Sequence, residues 1–132
     1  MRVTFDTNIY VSAFEFGGVC MKLLDMAKDG VLDVAVSPAI LAETQRVLRG
    51  KFNWPESALE NVKSILESYT QMVTPTEAIS AVQDDPDDNR ILECAKASGS
   101  DAIITRDKHL LRLGRYEGIA MLTVADFLRG QV

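Results

Sequence analysis

Asp84-Asp85-Pro86-Asp87-Asp88-Asn89 places four carboxylates within five residues. Residues 90–97 follow with apolar side chains at helical spacing, so the acidic stretch is predicted to lie at a helix N-terminus. Pro86 prevents the helix from beginning earlier, and Asp87 or Asp88 can cap its first N–H groups. Capping and the helix dipole explain about two of these acids, but not four. The stretch is therefore either a solvated, over-capped loop or part of a divalent-metal site.

Apolar strands alternate with helices on both sides of this stretch. The predicted strands are 3–5, 34–36, 72–74, 102–104 and 119–122. The predicted helices are 9–14, 19–29, 38–49, 55–69, 90–98, 108–113 and a C-terminal helix after Thr123. Because most of the strands are solidly apolar rather than alternating, they indicate a parallel sheet covered on both faces. The length of 132 residues suits one domain over residues 1–132.

Composition excludes several classes of protein. The apolar fraction is 47% and the charged fraction 25%, as in ordinary soluble globular proteins. No stretch is typical of a membrane span or a signal peptide, so we expect a cytoplasmic protein with no membrane partner. Cys20 and Cys94 fit reduced thiols, and His109 is the only histidine, so no Cys/His zinc motif exists. The net charge of −5 argues against nucleic-acid binding by bulk charge.

Four separate segments each bring an acid towards one edge of the predicted sheet. Asp6 ends the first strand, Asp107 follows the strand 102–104, Asp88 lies at a helix N-terminus, and Glu43 lies in the helix after the second strand. Each acid alone could be a turn residue, a surface acid or a helix cap. Ligands of open parallel sheets bind beyond the carboxyl ends of the strands, where these acids would meet. Clustered carboxylates suit Mg²⁺ or Mn²⁺, and phosphodiester hydrolysis is the natural chemistry of such ions.

The short motifs around these acids carry a family resemblance. They are Asp6-Thr7-Asn8, Glu43, Asp85-Pro86-Asp87-Asp88-Asn89 and Thr105-Arg106-Asp107. In this order and spacing they resemble the PIN-domain family of metal-dependent ribonucleases, especially the small toxins of bacterial or archaeal toxin–antitoxin pairs. The resemblance covers nearly the whole chain. It implies a three-layer α/β/α sandwich with a central, mostly parallel sheet and an acidic pocket for Mg²⁺ or Mn²⁺.

The resemblance also implies roles for individual residues. The catalytic and metal-binding acids would be Asp6, Glu43, Asp88 and Asp107, and the supporting polar residues Asn8, Thr105, Asp85 and Asn89. Leu110 stands where many members have a further acid, which affects the geometry expected for a second ion. The implied substrate is single-stranded RNA, and the implied partners are a second copy of the chain and a cognate antitoxin.

Two basic groups are candidates for contact with the RNA backbone. The first comprises Arg106, Lys108 and Arg112, and the second Arg46 and Arg49. Ordinary solvated faces would carry the same residues. A metal in the pocket together with a local basic rim would allow an acidic protein to attract a polyanion.

Other functions fit the motifs less well. A haloacid-dehalogenase-type phosphatase needs a second aspartate two residues after the first, where this chain has Asn8. A receiver domain needs a lysine at a later strand end, whereas Lys108 lies beyond it. A dinucleotide enzyme would need a glycine-rich loop. The remaining alternative is a catalytically degenerate PIN-like domain that binds RNA or a partner without cutting.

Overall fold

The structure is a computed structural model that describes residues 1–130. Its strands are β1 (Arg2–Phe5), β2 (Asp33–Val36), β3 (Gln71–Met72), β4 (Ala102–Ile104), β5 (Arg115–Tyr116) and β6 (Ile119–Leu122). Its helices are α1 (Thr7–Phe16), α2 (Gly18–Lys28), α3 (Pro38–Phe52), α4 (Glu56–Tyr69), α5 (Asp87–Ser98), α6 (Lys108–Leu113) and α7 (Val124–Arg129).

The strands form one sheet in the order β3-β2-β1-β4-β6-β5. Every neighbouring pair is parallel except β5 with β6. In the middle of the sheet, Phe5 of β1 is in register with Ile104 of β4, so these two strands end side by side. The predicted α/β fold with a mostly parallel central sheet is therefore confirmed.

Helices cover both faces of the sheet. Successive strand residues point to opposite faces, and all three residues of β4 are fully buried. The last three residues of β1 and of β2 are buried in the same way. The solidly apolar strands of the sequence thus form the middle layer of a three-layer α/β/α arrangement, because both of their faces need apolar cover.

Several element boundaries differ from the predicted ones, and the end of α3 and the presence of β5 have clear physical reasons. Helix α3 was expected to end at Gly50, but it continues to Phe52 and ends at Asn53, which adopts a left-handed conformation. Gly50 is tolerated there because a glycine weakens a helix by only about 1 kcal/mol. Strand β5 was missed, because it is two residues long and pairs only through the tight turn at Glu117 and Gly118, both with positive φ.

No helix within residues 1–130 is long and apolar enough to cross a membrane. Cys20 and Cys94 are both buried, free cysteines.

Candidate active site

The site lies where β1 and β4 end side by side. Asp6 directly follows β1, and Asp107 lies three residues after the end of β4. Asp88 lies in the first turn of α5 and Glu43 in α3. These four acids line one cleft of about 180 Å³, together with Asp85. Thr7, Asn8, Asp87 and Ile91 complete its lining.

Asp6 is held rigidly at the base of this cleft. It is only 4% exposed, and its Oδ2 accepts a 2.6 Å hydrogen bond from the Thr105 hydroxyl. Its Oδ1 accepts the backbone N–H of Asn8 at 3.3 Å, which makes Asp6 the N-cap of α1. The Thr105 oxygen in turn accepts the backbone N–H of Asp107 at 2.9 Å. One buried hydroxyl therefore fixes the relative position of two of the acids.

Asp107 combines a structural contact with a place in the cleft. Its Oδ1 accepts the backbone N–H groups of His109 at 2.7 Å and of Leu110 at 3.2 Å, so it caps α6. Capping alone would leave the second carboxylate oxygen available to a ligand. Asp107 can therefore cap α6 and offer a ligand atom to the cleft at the same time.

Asp88 does not act as a cap, contrary to one interpretation of the acidic stretch. The cap position of α5 is Pro86, with no side-chain cap, and Asp85 Oδ1 instead accepts the backbone N–H of Asp87 at 3.2 Å. Asp88 itself is only 5% exposed, and its Oδ2 is buried without a hydrogen-bond partner in the part of the chain that the structure describes. A buried carboxylate oxygen without a partner is costly, so this atom calls for a bound proton or cation.

Glu43 lines the same cleft from helix α3. Its side chain is half-buried and forms an ion pair with Arg46, one helical turn further along α3. The apolar neighbours Ile40 and Leu41 are buried in the core, which places Glu43 on the border between core and cleft.

Burial, together with the neighbouring carboxylates, raises the pKa of two acids in the cleft. Burial, followed by the neighbouring carboxylate of Asp107 and the charges of Asp85 and Asp6, raises the pKa of Asp88 to about 8. Burial also raises the pKa of Asp6, against the lowering effect of its hydrogen bonds from Thr105 and Asn8. A divalent cation would reverse both effects, because it favours the charged form of each acid.

A compact set of ligand atoms fits such a cation. Asp85, Asp88, Asp107 and His109 each offer one ligand atom, and these atoms all lie within 4.8 Å of one another. Sequence reasoning missed His109 as a site residue, because a lone histidine without Cys/His spacing gives no recognisable metal motif. Its only available signal was its position two residues after Asp107.

The structure places some predicted site residues away from the cleft. Asn89 is buried, and its side chain binds the backbone of Ala81 and Val82. Arg49 forms two hydrogen bonds to Glu56, the shorter of them 2.6 Å long. Both residues therefore have structural contacts that compete with a role at the cleft.

The remaining basic candidates lie on the exterior near the site. Arg106 and Lys108 are exposed beside Asp107. Arg112 is also exposed and lines a shallow hollow with His109. Arg46 lines a second hollow that adjoins the cleft through Glu43, and there it is joined by Arg90, which sequence reasoning had not singled out.

A family model described as "PIN domain" matches residues 2–109, and no curated protein matches. Among solved structures, the crystal structure of VapBC2 from Rickettsia felis bound to a DNA fragment from their promoter contains a similar chain. The match has a TM-score of 0.64 and 15% identity, and covers 93% of this chain and 98% of that one. At 15% identity this structural similarity shows only a shared fold. The family is shown by the match to the family model. The chain belongs to the PIN domain family.

Proposed function

We propose that this chain is a metal-dependent endoribonuclease that hydrolyses phosphodiester bonds in single-stranded RNA. PIN domains are generally nucleases and usually use divalent metals. The observation that carries the proposal is the buried Asp88 carboxylate, which has an unpartnered oxygen in a cleft lined by Asp6, Glu43, Asp85 and Asp107. A domain that only bound RNA would have no need to keep so many repelling acids together.

The residues would divide the work according to their contacts. Asp88 and Asp107, with Asp6 behind them, would bind Mg²⁺ or Mn²⁺, and Thr105 would keep Asp6 and Asp107 in register. When bound, such an ion lowers the pKa of water and neutralises charge on the phosphate. Glu43 faces the same cleft and would orient the attacking water or complete the ion's ligands. Asn8 would supply a further polar contact at the rim, and Asp85 offers a ligand atom close to those of Asp88 and Asp107.

We also propose that the chain is the toxin of a toxin–antitoxin pair. The support is the family motifs together with the fold shared with VapBC2, whose crystal structure contains a bound promoter DNA fragment. Under this proposal residues 1–132 act as one domain in the cytoplasm, as a homodimer, with a cognate antitoxin that covers the cleft. Light scattering at high concentration that shows only a monomer would reject the dimer without affecting the proposed chemistry.

The decisive experiment is cleavage of a single-stranded RNA by the purified chain with Mg²⁺ or Mn²⁺. Asp6→Asn should lower the cleavage rate roughly 100-fold or more, since it removes one charge from the site. Asparagine is as good an N-cap as aspartate, and its amide N–H can donate to the Thr105 oxygen where Asp6 accepts the hydroxyl, so the fold should survive. Undiminished cleavage by this variant, or by wild type in excess EDTA, would refute the mechanism. RNA binding without cleavage under all metals would favour the degenerate binding domain.

A further inference from the structure

His109 carries a buried nitrogen that the structure leaves without a partner. Its Nδ1 has no hydrogen bond within residues 1–130. The nearest acidic atom, Asp107 Oδ1, lies 3.6 Å away, which exceeds the length of a hydrogen bond. That carboxylate oxygen is already used by the backbone N–H groups of His109 and Leu110. The position of the imidazole is therefore not explained by the contacts that build α6.

The second unpartnered atom of the same neighbourhood belongs to Asp88. This residue is more than nine-tenths buried, and its Oδ2 lacks a partner in the described chain. Both residues contribute to the group of ligand atoms that lie within 4.8 Å of one another. A single cation would satisfy both side chains, because carboxylate oxygen and neutral imidazole nitrogen each donate a lone pair.

We propose that His109 is a direct ligand of the divalent ion, beside Asp85, Asp88 and Asp107. This inference rests on the metal dependence of the proposed function and adds a nitrogen ligand to its site. Leu110, the next residue, is fully buried and has no ligand atom. His109 is thus the residue of α6 placed to complete a site whose other ligands come from α5 and the segments before α5 and α6.

A nitrogen ligand has a consequence for the choice of ion. Mg²⁺ prefers an octahedron of oxygen atoms, whereas imidazole suits transition metals. A site of three carboxylates and one imidazole therefore favours Mn²⁺ over Mg²⁺ more strongly than an all-carboxylate site would. His109 would set the metal preference of the cleft without itself touching the RNA.

Pulsed electron paramagnetic resonance of wild-type protein loaded with Mn²⁺ tests the ligand directly. A coordinated imidazole gives a nitrogen coupling to the Mn²⁺ spin, and this coupling is expected in wild type and absent from His109→Leu. Gln83→Leu is the matched control, because Gln83 lines the same hollow as His109 but is not in the ligand group. This variant should keep the coupling.

Bound Mn²⁺ without nitrogen coupling in wild type would overturn the proposal, as would a coupling that persists in His109→Leu. The wild-type measurement needs no variant, so it remains decisive if His109→Leu does not fold. Loss of ribonuclease activity is not the readout. A nitrogen coupling in a protein that does not cleave RNA would support the ligand and reject the proposed function. RNA cleavage by a protein whose bound Mn²⁺ shows no nitrogen coupling would support the proposed function and reject His109 as a ligand.

Calorimetric titration of Mn²⁺ and Mg²⁺ gives the second readout. Changing a residue that merely orients a metal ligand weakens metal binding about 10–100-fold, so losing a direct ligand should weaken Mn²⁺ binding at least about tenfold. Mg²⁺ binding should change much less, so the ratio of the Mn²⁺ affinity to the Mg²⁺ affinity should fall in His109→Leu. An equal loss for both ions in His109→Leu, with Gln83→Leu unchanged, would contradict the assigned selectivity.

Discussion

Asp88 differs from the other acids of the cleft in the contacts that compensate its charge. Asp6 accepts two hydrogen bonds, Asp107 accepts two backbone N–H groups, and Glu43 pairs with Arg46. Asp88 Oδ2, by contrast, has no partner among the described residues, although the residue is buried. A bound cation would give this buried oxygen the partner that the described residues do not supply.

Replacing Asp88 by asparagine should separate repulsion from metal binding. Without metal and above about pH 8, Asp88→Asn should melt at or above the wild-type temperature, because the Asp88 carboxylate is then ionised and the change removes one repelling charge. With Mn²⁺ at about 100 times its dissociation constant, wild type should gain roughly 2.7 kcal/mol of stability and the variant much less. Thermal melts of both proteins with and without Mn²⁺ make the comparison. Asp84→Asn, an exposed acid of the same stretch, is the control. An equal Mn²⁺ shift in Asp88→Asn and wild type would exclude Asp88 as a ligand.

The stability of the metal-free protein should fall as the pH rises. Asp88 has a pKa of about 8 in the folded chain against an ordinary value of 3.8. The folded state therefore holds a proton that the unfolded state has released. This contribution to stability is complete below about pH 3.8 and is lost progressively up to about pH 8. Asp6, whose pKa is also raised, acts in the same direction.

Urea unfolding between pH 5 and pH 8.5 should show this decline in wild type and a shallower one in Asp88→Asn. In saturating Mn²⁺ the decline should shrink or reverse, because protons then compete with the ion. Parallel pH curves for the two metal-free proteins would contradict the raised pKa.

From the sequence, an acid could be placed at the site most directly where it follows a recognisable strand. Asp6 and Asp107 could be placed because each follows a recognisable apolar strand, and strand ends of a parallel sheet meet at one edge. The contacts of His109 and Asn89 depend on which loop packs against α5 and α6. Neither hydrophobic spacing nor a capping motif carries that information.

Helix α5 is joined to the loop before it by side chains rather than by regular backbone pairing. Asn89 Oδ1 accepts the backbone N–H groups of Ala81 and Val82 at 2.9 and 2.8 Å, and its Nδ2 donates to the Val82 carbonyl. Glu93, one turn later, accepts the backbone N–H of Ile79 at 2.8 Å. These bonds hold the loop that leads into Asp85 and Asp88, so α5 positions the acidic stretch through its own side chains.

Asn89→Ala should therefore loosen the loop more than it disturbs the sheet. Leaving a buried N–H without an acceptor costs about 1–3 kcal/mol, so a comparable loss of stability is expected. Amide hydrogen exchange of Ala81 and Val82 should accelerate. Asn89→Asp keeps the acceptor oxygen for both N–H groups but loses the donor to the Val82 carbonyl, so it should protect the two amides better than Asn89→Ala and less well than wild type. Unchanged exchange at these two amides in Asn89→Ala would show that the loop is held by other contacts.

The start of α3 followed from local chemistry, whereas strand β5 did not. Ser37 before Pro38 predicted the start of α3, and the Ser37 hydroxyl accepts the Ile40 N–H as an N-cap should. Strand β5, in contrast, exists because β6 is available for antiparallel pairing. Two residues alone give no periodicity from which such a strand could be recognised.

The strand order of the whole sheet explains why distant acids meet. β1 and β4 are neighbours although about a hundred residues separate them in sequence, and this pairing brings Asp6 next to Thr105. The alternation of strands and helices predicted a parallel sheet and one edge for its ligands. It did not predict the order β3-β2-β1-β4-β6-β5, because the apolar strands are interchangeable in pattern. The strand-end rule brought the four acids towards one edge, and the family resemblance assigned their roles there.

The charge of the molecule leads to a prediction about RNA binding. At a net charge of −5, the chain repels a polyanion on average, so attraction must come from the bound ion and from local basic residues. Arg106 and Lys108 are exposed directly beside Asp107 and are the first candidates. Each lost contact to a phosphate of single-stranded RNA lowers the slope of log affinity against log salt by about 0.7.

Changing Arg106 and Lys108 together to alanine should therefore weaken RNA binding and reduce that slope by roughly 1.4. Binding titrations at several salt concentrations, with Asp6→Asn as the background to prevent cleavage, provide the measurement.

The control is the double change of Lys22 and Lys63 to alanine, which removes the same charge from α2 and α4, where neither lysine lines the cleft. Because salt screens distant charges, the control should weaken binding only slightly and leave the slope nearly unchanged. Equal slopes for the Arg106/Lys108 variant and its parent would remove these two residues from the RNA-binding surface. Equal losses in both double variants would instead mean that net charge, rather than a basic rim at the cleft, governs the encounter.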